Sequence, residues 1–234
     1  MCGRYTLYRS KHLAARYHLA DPSAAELLAD INDRYNIAPS QDAPVITQAD
    51  GQPHLQLMRW GYLPPWAKDP KDIFKYKTFN ARAEGIFHKP MWKTAARLHR
   101  ALIPSTGFYE WQQQTDGKHP FLIVPTAGQL PDDIFSFAGL YGTWHDAQGD
   151  EQQTYSIITT AANSDMQQIH DRMPVILSCD EESLWLDPAI DDQELLSQLL
   201  HPYPDGQLAI HEVSRDVNSS HSDLAHFIEP LNSK

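Results

Sequence analysis

Cys2 directly follows the initiator methionine in Met1-Cys2-Gly3-Arg4-Tyr5. A cysteine side chain is small enough for methionine aminopeptidases to clear Met1 in front of it. The product would carry an α-amine and a thiol on adjacent carbons. Such a 1,2-aminothiol condenses with an aldehyde: the amine gives a Schiff base, and the thiol adds to the same carbon, closing a five-membered thiazolidine. An α-amine ordinarily titrates near ~7.7–8.0 and a thiol near ~8.5, so both groups suit neutral pH. Position alone leaves a plainer reading open, in which Cys2 is an exposed terminal residue that happens to be cysteine.

Other polar residues stand in apolar or tightly turning surroundings. Asn80 begins Asn-Ala-Arg-Ala-Glu84, and Glu110 lies among aromatics in Gly107-Phe-Tyr-Glu-Trp111. A carboxyl group with aromatic neighbours is the setting of many general acids. His170 falls in Ile169-His-Asp-Arg-Met-Pro174, after a short helix whose start reads as a capping box from Ser164 to Gln167. Taken singly, Glu110 is equally a solvent-facing strand residue and His170 a helix-end histidine. Arg4, Arg82 and Arg172 each lie within two residues of Cys2, Asn80 or His170, and three guanidiniums around one site suit phosphate oxygens. Trp60-Gly-Tyr-Leu-Pro-Pro-Trp66 offers aromatic faces for stacking bases, with Trp60 the better core candidate and Trp66 the better surface one.

Several chemistries are excluded. The chain has no Gly-x-x-x-x-Gly-Lys phosphate loop, no Gly-x-Gly-x-x-Gly, no Gly-x-Ser-x-Gly elbow and no His-Glu-x-x-His. No metal or other cofactor is indicated. Two cysteines, Cys2 and Cys179, cannot make a disulfide framework, which points to a reducing compartment. Basic residues interrupt the N-terminus, and no run approaches the ~18 apolar residues of a membrane span. The expectation is a cytoplasmic monomer with no membrane partner.

The 234 residues carry a formal charge of −11, against nucleic-acid binding by the molecule as a whole. Ten of the 19 basic residues, however, fall between Arg59 and Arg100, which permits a basic face on an acidic protein.

The elements needed to position these residues are legible in part. Asp21 caps a helix opened by Pro22 and running to about Ala29, and a helix is expected over Ser10–Leu19. Cys179–Leu186 and Asp192–Leu200 also read as helices. Leu55–Trp60, Arg100–Ile103, Phe108–Gln112, Phe121–Val124, Phe135–Leu140, Tyr155–Thr160, Val175–Leu177 and Ala209–Val213 read as strands, with Asp116-Gly117 marking a hairpin. Without repeats or linkers, the pattern predicts a single α+β domain over 1–234, mainly antiparallel.

In these motifs the chain resembles the SRAP domain family (SOS-response-associated peptidases), which shield abasic sites in single-stranded DNA. The likeness rests on Met1-Cys-Gly-Arg4, Tyr35-Asn-Ile-Ala-Pro39, Trp60-Gly61, Asn80 to Glu84, Ile103-Pro104, Gly107 to Trp111, Phe137-Ala-Gly-Leu140, Thr159-Thr-Ala-Ala-Asn163, Ile169 to Pro174, Val213-Ser214 and Val217-Asn218. It implies a β-barrel-like core with short peripheral helices. It also implies a catalytic cluster of Cys2, Asn80, Glu110 and His170, with DNA contacts from Arg4, Asn36, Trp66, Arg82 and Arg172. Where some members have two adjacent tryptophans this chain has Trp66-Ala67. The implied activity is thiazolidine crosslinking to abasic single-stranded DNA, with associated lyase chemistry and self-removal of Met1. The rivals are an N-terminal-nucleophile cysteine hydrolase and a non-covalent single-strand binder. The aminothiol reading predicts that active protein lacks Met1. Intact mass showing Met1 retained in active protein would remove its premise.

Overall fold

The computed structural model describes residues 2–126 and 131–231. Its first strands are β1 (Arg4–Leu7), β2 (Arg34–Ile37), β3 (Asp42–Ala49), β4 (Gln52–Trp60) and β5 (Asn80–Arg82). The middle of the chain gives β6 (Arg100–Ser105), β7 (Gly107–Gln114), β8 (Gly117–Pro125), β9 (Phe135–His145) and β10 (Glu151–Ala161), and β11 (Arg172–Pro174), β12 (Ile176–Leu177) and β13 (Leu208–Glu212) follow.

Strands β4, β3, β6, β9 and β10 pair in that order, and β10 pairs back onto β4 to close a five-stranded barrel. The pairings are antiparallel except the β10–β4 closure, which is parallel. Closure removes the exposed strand edges that an open sheet would present. A second, antiparallel sheet runs in the order β13, β8, β7, β1, β2. The α+β class and the mainly antiparallel barrel core agree with expectation.

The two sheets meet where the chain leaves β6 and enters β7 with only Thr106 between them. There the Thr106 backbone N–H donates to the Thr6 carbonyl at 2.9 Å, and the two threonine hydroxyls lie 2.9 Å apart. Beneath this seam the Tyr5 and Tyr155 hydroxyls, both buried, share a hydrogen bond of 2.7 Å. Tyr5 also packs edge-on against Trp60 and Phe137, with ring centroids 5.1 and 5.9 Å away.

One lane beside β10 is filled twice. Arg59 and Trp60 at the end of β4 pair with Thr154 and Tyr155, and Asn80 in β5 then resumes the lane opposite Ile157. The intervening residues loop out. Gly61 begins the departure with a φ of 130°, and a Cβ there would lie 2.8 Å from Ile73, so this position requires glycine. The loop carries α3.

The helices are short and peripheral: α1 (Leu13–Arg16), α2 (Pro22–Asp30), α3 (Asp72–Tyr76), α4 (Lys93–Leu98), α5 (Cys179–Leu186) and α6 (Gln193–Gln198). Asp21 caps α2 by accepting from the Ser23 N–H at 2.9 Å, and Ser178 and Glu181 form a capping box on α5. The expected helix over Ser10–Leu19 is instead a 3₁₀ turn at Ser10–His12 followed by α1. His18, with a φ of 52°, ends it early. Five strands were not expected: β1, β2, β5 and β11 are only three or four residues long, and β3 contains Pro44, a residue that argues against strand from sequence alone. Among the described residues no helix is long and apolar enough to cross a membrane.

A charged clasp fastens the β7–β8 hairpin to the C-terminal segment. His119 lies 2.5 Å from Glu212 through Nδ1 and 2.6 Å from Asp116 through Nε2, and Arg215 donates to Asp116 at 2.8 Å. Bonds to Glu212 and then Asp116 raise the His119 pKa above 6.5. Bonds from His119 and then Arg215 hold Asp116 at about 2, below its usual 3.8. The His119 contribution to stability is therefore complete below 6.5 and lost as pH rises through the folded value. That of Asp116 is complete above 3.8 and lost as pH falls toward 2. Calorimetric Tm should peak between these limits, and His119→Gln should flatten the alkaline limb. An alkaline limb of unchanged slope in that variant would dismiss the clasp.

Candidate functional site

Because β1 lies between β7 and β2, the start of the chain is an interior strand and Cys2, just ahead of it, is 0% exposed. The reading of Cys2 as an exposed terminal residue is thus corrected. Antiparallel register sets Arg4 opposite Tyr109, which brings the next residue of β7, Glu110, alongside the head of β1. Glu110 is 3% exposed, so it faces inward and not to solvent. From the barrel side β5 delivers Asn80, whose amide donates to the Cys2 carbonyl at 2.8 Å. The Asn80 Oδ1 is buried without a partner.

Burial pushes the Cys2 thiol well above its ordinary range, and the neighbouring Glu110 carboxylate adds to the rise. This revises the expectation of a thiol near its unperturbed value. The sulfur is a protonated donor, directed at the Arg4 carbonyl 3.7 Å away.

His170 follows a 3₁₀ turn at Met166–Gln168. The expected Ser164 capping box does not form: the N-cap position is Asp165, without a side-chain cap bond, and the Met166 N–H donates to the Asn163 Oδ1 at 3.0 Å. The Nδ1 of His170 lies 2.9 Å from both the Arg172 backbone N–H and the Asp171 carboxylate. One nitrogen cannot accept from the first and donate to the second. Asp171 is largely exposed, so its pull is weak, and the Arg172 backbone N–H is the partner that orients the ring.

The three arginines divide. Arg172 is buried: it pairs with both oxygens of Glu84 and donates to the Thr159 carbonyl at 2.6 Å. Arg4 is half-buried and donates to the Asn218 and Gly3 carbonyls at 3.2 and 3.1 Å. Arg82 is the most exposed of the three and makes only a loose ion pair with Glu84 at 3.8 Å. Asn36 requires a correction as a DNA contact. It is 1% exposed, and its amide donates to the carbonyls of Val217, Ser219 and Ser222, fastening the C-terminal segment. Trp66 is 54% exposed and lies edge-on to Tyr76, centroids 5.2 Å apart, while Trp60 is core. Sequence reading missed Glu84 as the Arg172 partner and Asn218 as the anchor of Arg4. Both stood inside motifs already singled out, but pairing across 88 and 214 residues leaves no local trace.

The arrangement presents a buried thiol near the chain start, beside a carboxyl group and an amide. Cys179, by contrast, is exposed. Each unit by which burial raises a thiol pKa removes a factor of about ten from its thiolate fraction. Alkylation followed by peptide mapping should therefore label Cys179 at least about tenfold faster than Cys2 in folded protein. Equal rates would contradict the buried geometry.

A family model described as SOS response associated peptidase (SRAP) matches residues 1–220. The chain is 37% identical over 230 residues to "Abasic site processing protein YoqW" of Bacillus subtilis (strain 168), covering 98% of this chain and 99% of that one. It is 32% identical over 237 residues to "Abasic site processing protein YedK" of Escherichia coli (strain K12), covering 99% and 100%. A crystal structure of a protein from Bacteroides thetaiotaomicron superposes with a TM-score of 0.86 at 28% identity, covering 99% of this chain and 100% of that one.

Proposed function

Because this chain belongs to the SOS response associated peptidase (SRAP) family, we propose that it acts in abasic-site DNA repair by capturing the ring-opened sugar covalently through Cys2. Relatives across nearly the whole chain carry the name abasic site processing protein, which supports the substrate class. The observation that carries the chemistry is the buried juxtaposition of Cys2, Asn80 and Glu110.

Removal of Met1, which lies outside the described residues, frees the Cys2 amine. That nitrogen adds to the C1′ aldehyde of the abasic deoxyribose and water leaves, giving a Schiff base. The sulfur then adds to the same carbon. Its proton passes to the Glu110 carboxylate and on to the ring nitrogen, so the net change is loss of one water. A thiol kept protonated by burial suits this order, in which the amine attacks first and the sulfur closes the ring. Glu110, protonated in the opposite phase of the cycle, assists ring opening at the sugar oxygen. The unpartnered Asn80 Oδ1 accepts from the new amine while Nδ2 holds the Cys2 carbonyl. His170 is assigned as the proton relay for these steps. A Schiff base that sulfur fails to trap is open to β-elimination, which accounts for lyase-type strand cleavage as a side reaction.

Single-stranded DNA is the partner that the surroundings suit. Arg82 offers an exposed guanidinium for a phosphate, Arg4 lines the head of β1, and Trp66 with Tyr76 offers stacking faces. Arg172 contributes by bracing Glu84 and Thr159 from within.

Glu110→Gln keeps the shape and removes the transferable proton. Crosslinking to an abasic oligonucleotide, followed on denaturing gels under single-turnover conditions at saturating DNA, should slow by about 10²–10⁴-fold with affinity nearly unchanged. Cys2→Ser should bind the DNA yet give no durable adduct. A Glu110→Gln rate constant within a few-fold of wild type would transfer the acid–base role to His170.

A further inference from the structure

Gln112 stands two residues beyond Glu110 on β7, and the strand period of two puts both side chains on one face. Its amide donates to the carbonyl of Gln168 at 2.8 Å. Gln168 ends the 3₁₀ turn from which His170 emerges two residues later. Gln114, next on the same face, donates to the Gln112 Oε1 at 2.8 Å. That second bond fixes the amide orientation, because Oε1 is taken by a donor and Nε2 is left to meet the turn.

The turn has its own barrel-side attachment. The His170 backbone N–H closes the turn on itself by donating to the Met166 carbonyl at 2.9 Å, and the attachment is β11, which starts at Arg172 and pairs with β10 at Ala161. Glu110, by contrast, belongs to the second sheet. The two groups assigned to proton transfer therefore sit on different sheets, and the relative position of those sheets at the mouth of the site is not set by backbone pairing between β7 and the turn. The geometry points to Gln112 as a positioning residue that holds the His170 turn against the Glu110 strand. This inference rests on the crosslinking function proposed above.

The role is that of an N–H donor, which allows a sharp test. Gln112→Glu preserves size and shape but turns a carboxylate toward the Gln168 carbonyl, whereas Gln112→Lys restores a donor of sufficient reach. Misplacement by about 1 Å costs up to about 10²-fold in such reactions, and partial loosening of one tie should cost about tenfold. The expected result is a crosslinking rate constant at saturating abasic DNA about tenfold lower in Gln112→Glu and within about threefold of wild type in Gln112→Lys. The opposite charges of the two variants should shift DNA affinity in opposite directions, which measurement at saturating DNA removes from the comparison. A wild-type rate in Gln112→Glu, or equal losses in the two variants, would overturn the assignment. The His170 ring signals in ¹H–¹³C spectra give a readout independent of the reaction. They should shift in Gln112→Glu and return toward wild type in Gln112→Lys, and unchanged ring signals in Gln112→Glu would reject the tie. Absence of any adduct in the wild type would reject the proposed function instead, with the ring signals still deciding the fate of Gln112.

Discussion

The hydrogen bond from the Asn80 amide to the Cys2 carbonyl spans 78 residues of sequence and joins the two halves of the molecule. Asn80 belongs to the barrel through β5 and β10, and Cys2 leads into β1 of the second sheet. The bond needs β1 to be an interior strand, so that the chain terminus is held and not frayed as termini usually are. It also needs the lane beside β10 to be vacated after Trp60 and refilled at Asn80. The Thr6–Thr106 seam, the paired tyrosine hydroxyls and the glycine turn at Gly61 all serve that alignment. Removing the donor would leave a buried carbonyl unpaired, which costs about 1–3 kcal/mol.

Electrostatics at the site follows from dryness. Water is excluded around Cys2, so its thiol stays protonated, and the nearest carboxylate raises it further. A thiolate in solvent is open to oxidation and alkylation, from which burial shields Cys2. The ion pair between Arg172 and Glu84 belongs to the same economy of charge. A buried guanidinium must be matched, and Glu84 matches it while holding the residues that follow β5 against β11.

The basic stretch between Arg59 and Arg100 looks uniform in sequence and is not so in space. Arg100 is interior, donating to the carbonyls of Trp185, Ala96, Arg97, Asp187 and Ile190, and Arg97 pairs with Asp191. Lys68, Lys71, Lys75 and Lys77 are exposed on the loop that carries Trp66 and α3, and Lys75 lies 4.9 Å over the Tyr76 ring. Arg82, Lys89 and Lys93 are exposed beyond that loop, so the accessible cations of this stretch fall on the excursion from the barrel and on the residues from β5 to α4.

By itself the sequence singled out the candidate residues: a cysteine behind Met1, a carboxyl group among aromatics, an asparagine and a histidine in compact motifs. It also determined the class of fold, because hairpin signals, capping residues and short apolar runs are local and act over a few residues. Strands β1, β2, β3, β5 and β11 escaped it, since runs of three or four residues, or a run with Pro44, acquire strand geometry only from their neighbours. What the tertiary structure decided was which polar groups face one another. Asn36 and Arg172 carry the same donors whether they grip a ligand or brace the interior. Only burial and partners far along the chain, the C-terminal carbonyls for Asn36 and Glu84 for Arg172, assign them inward. The reactivity of Cys2 was decided in the same way, because a thiol pKa is set by the water and charge around it, and neither is written in the residues beside it.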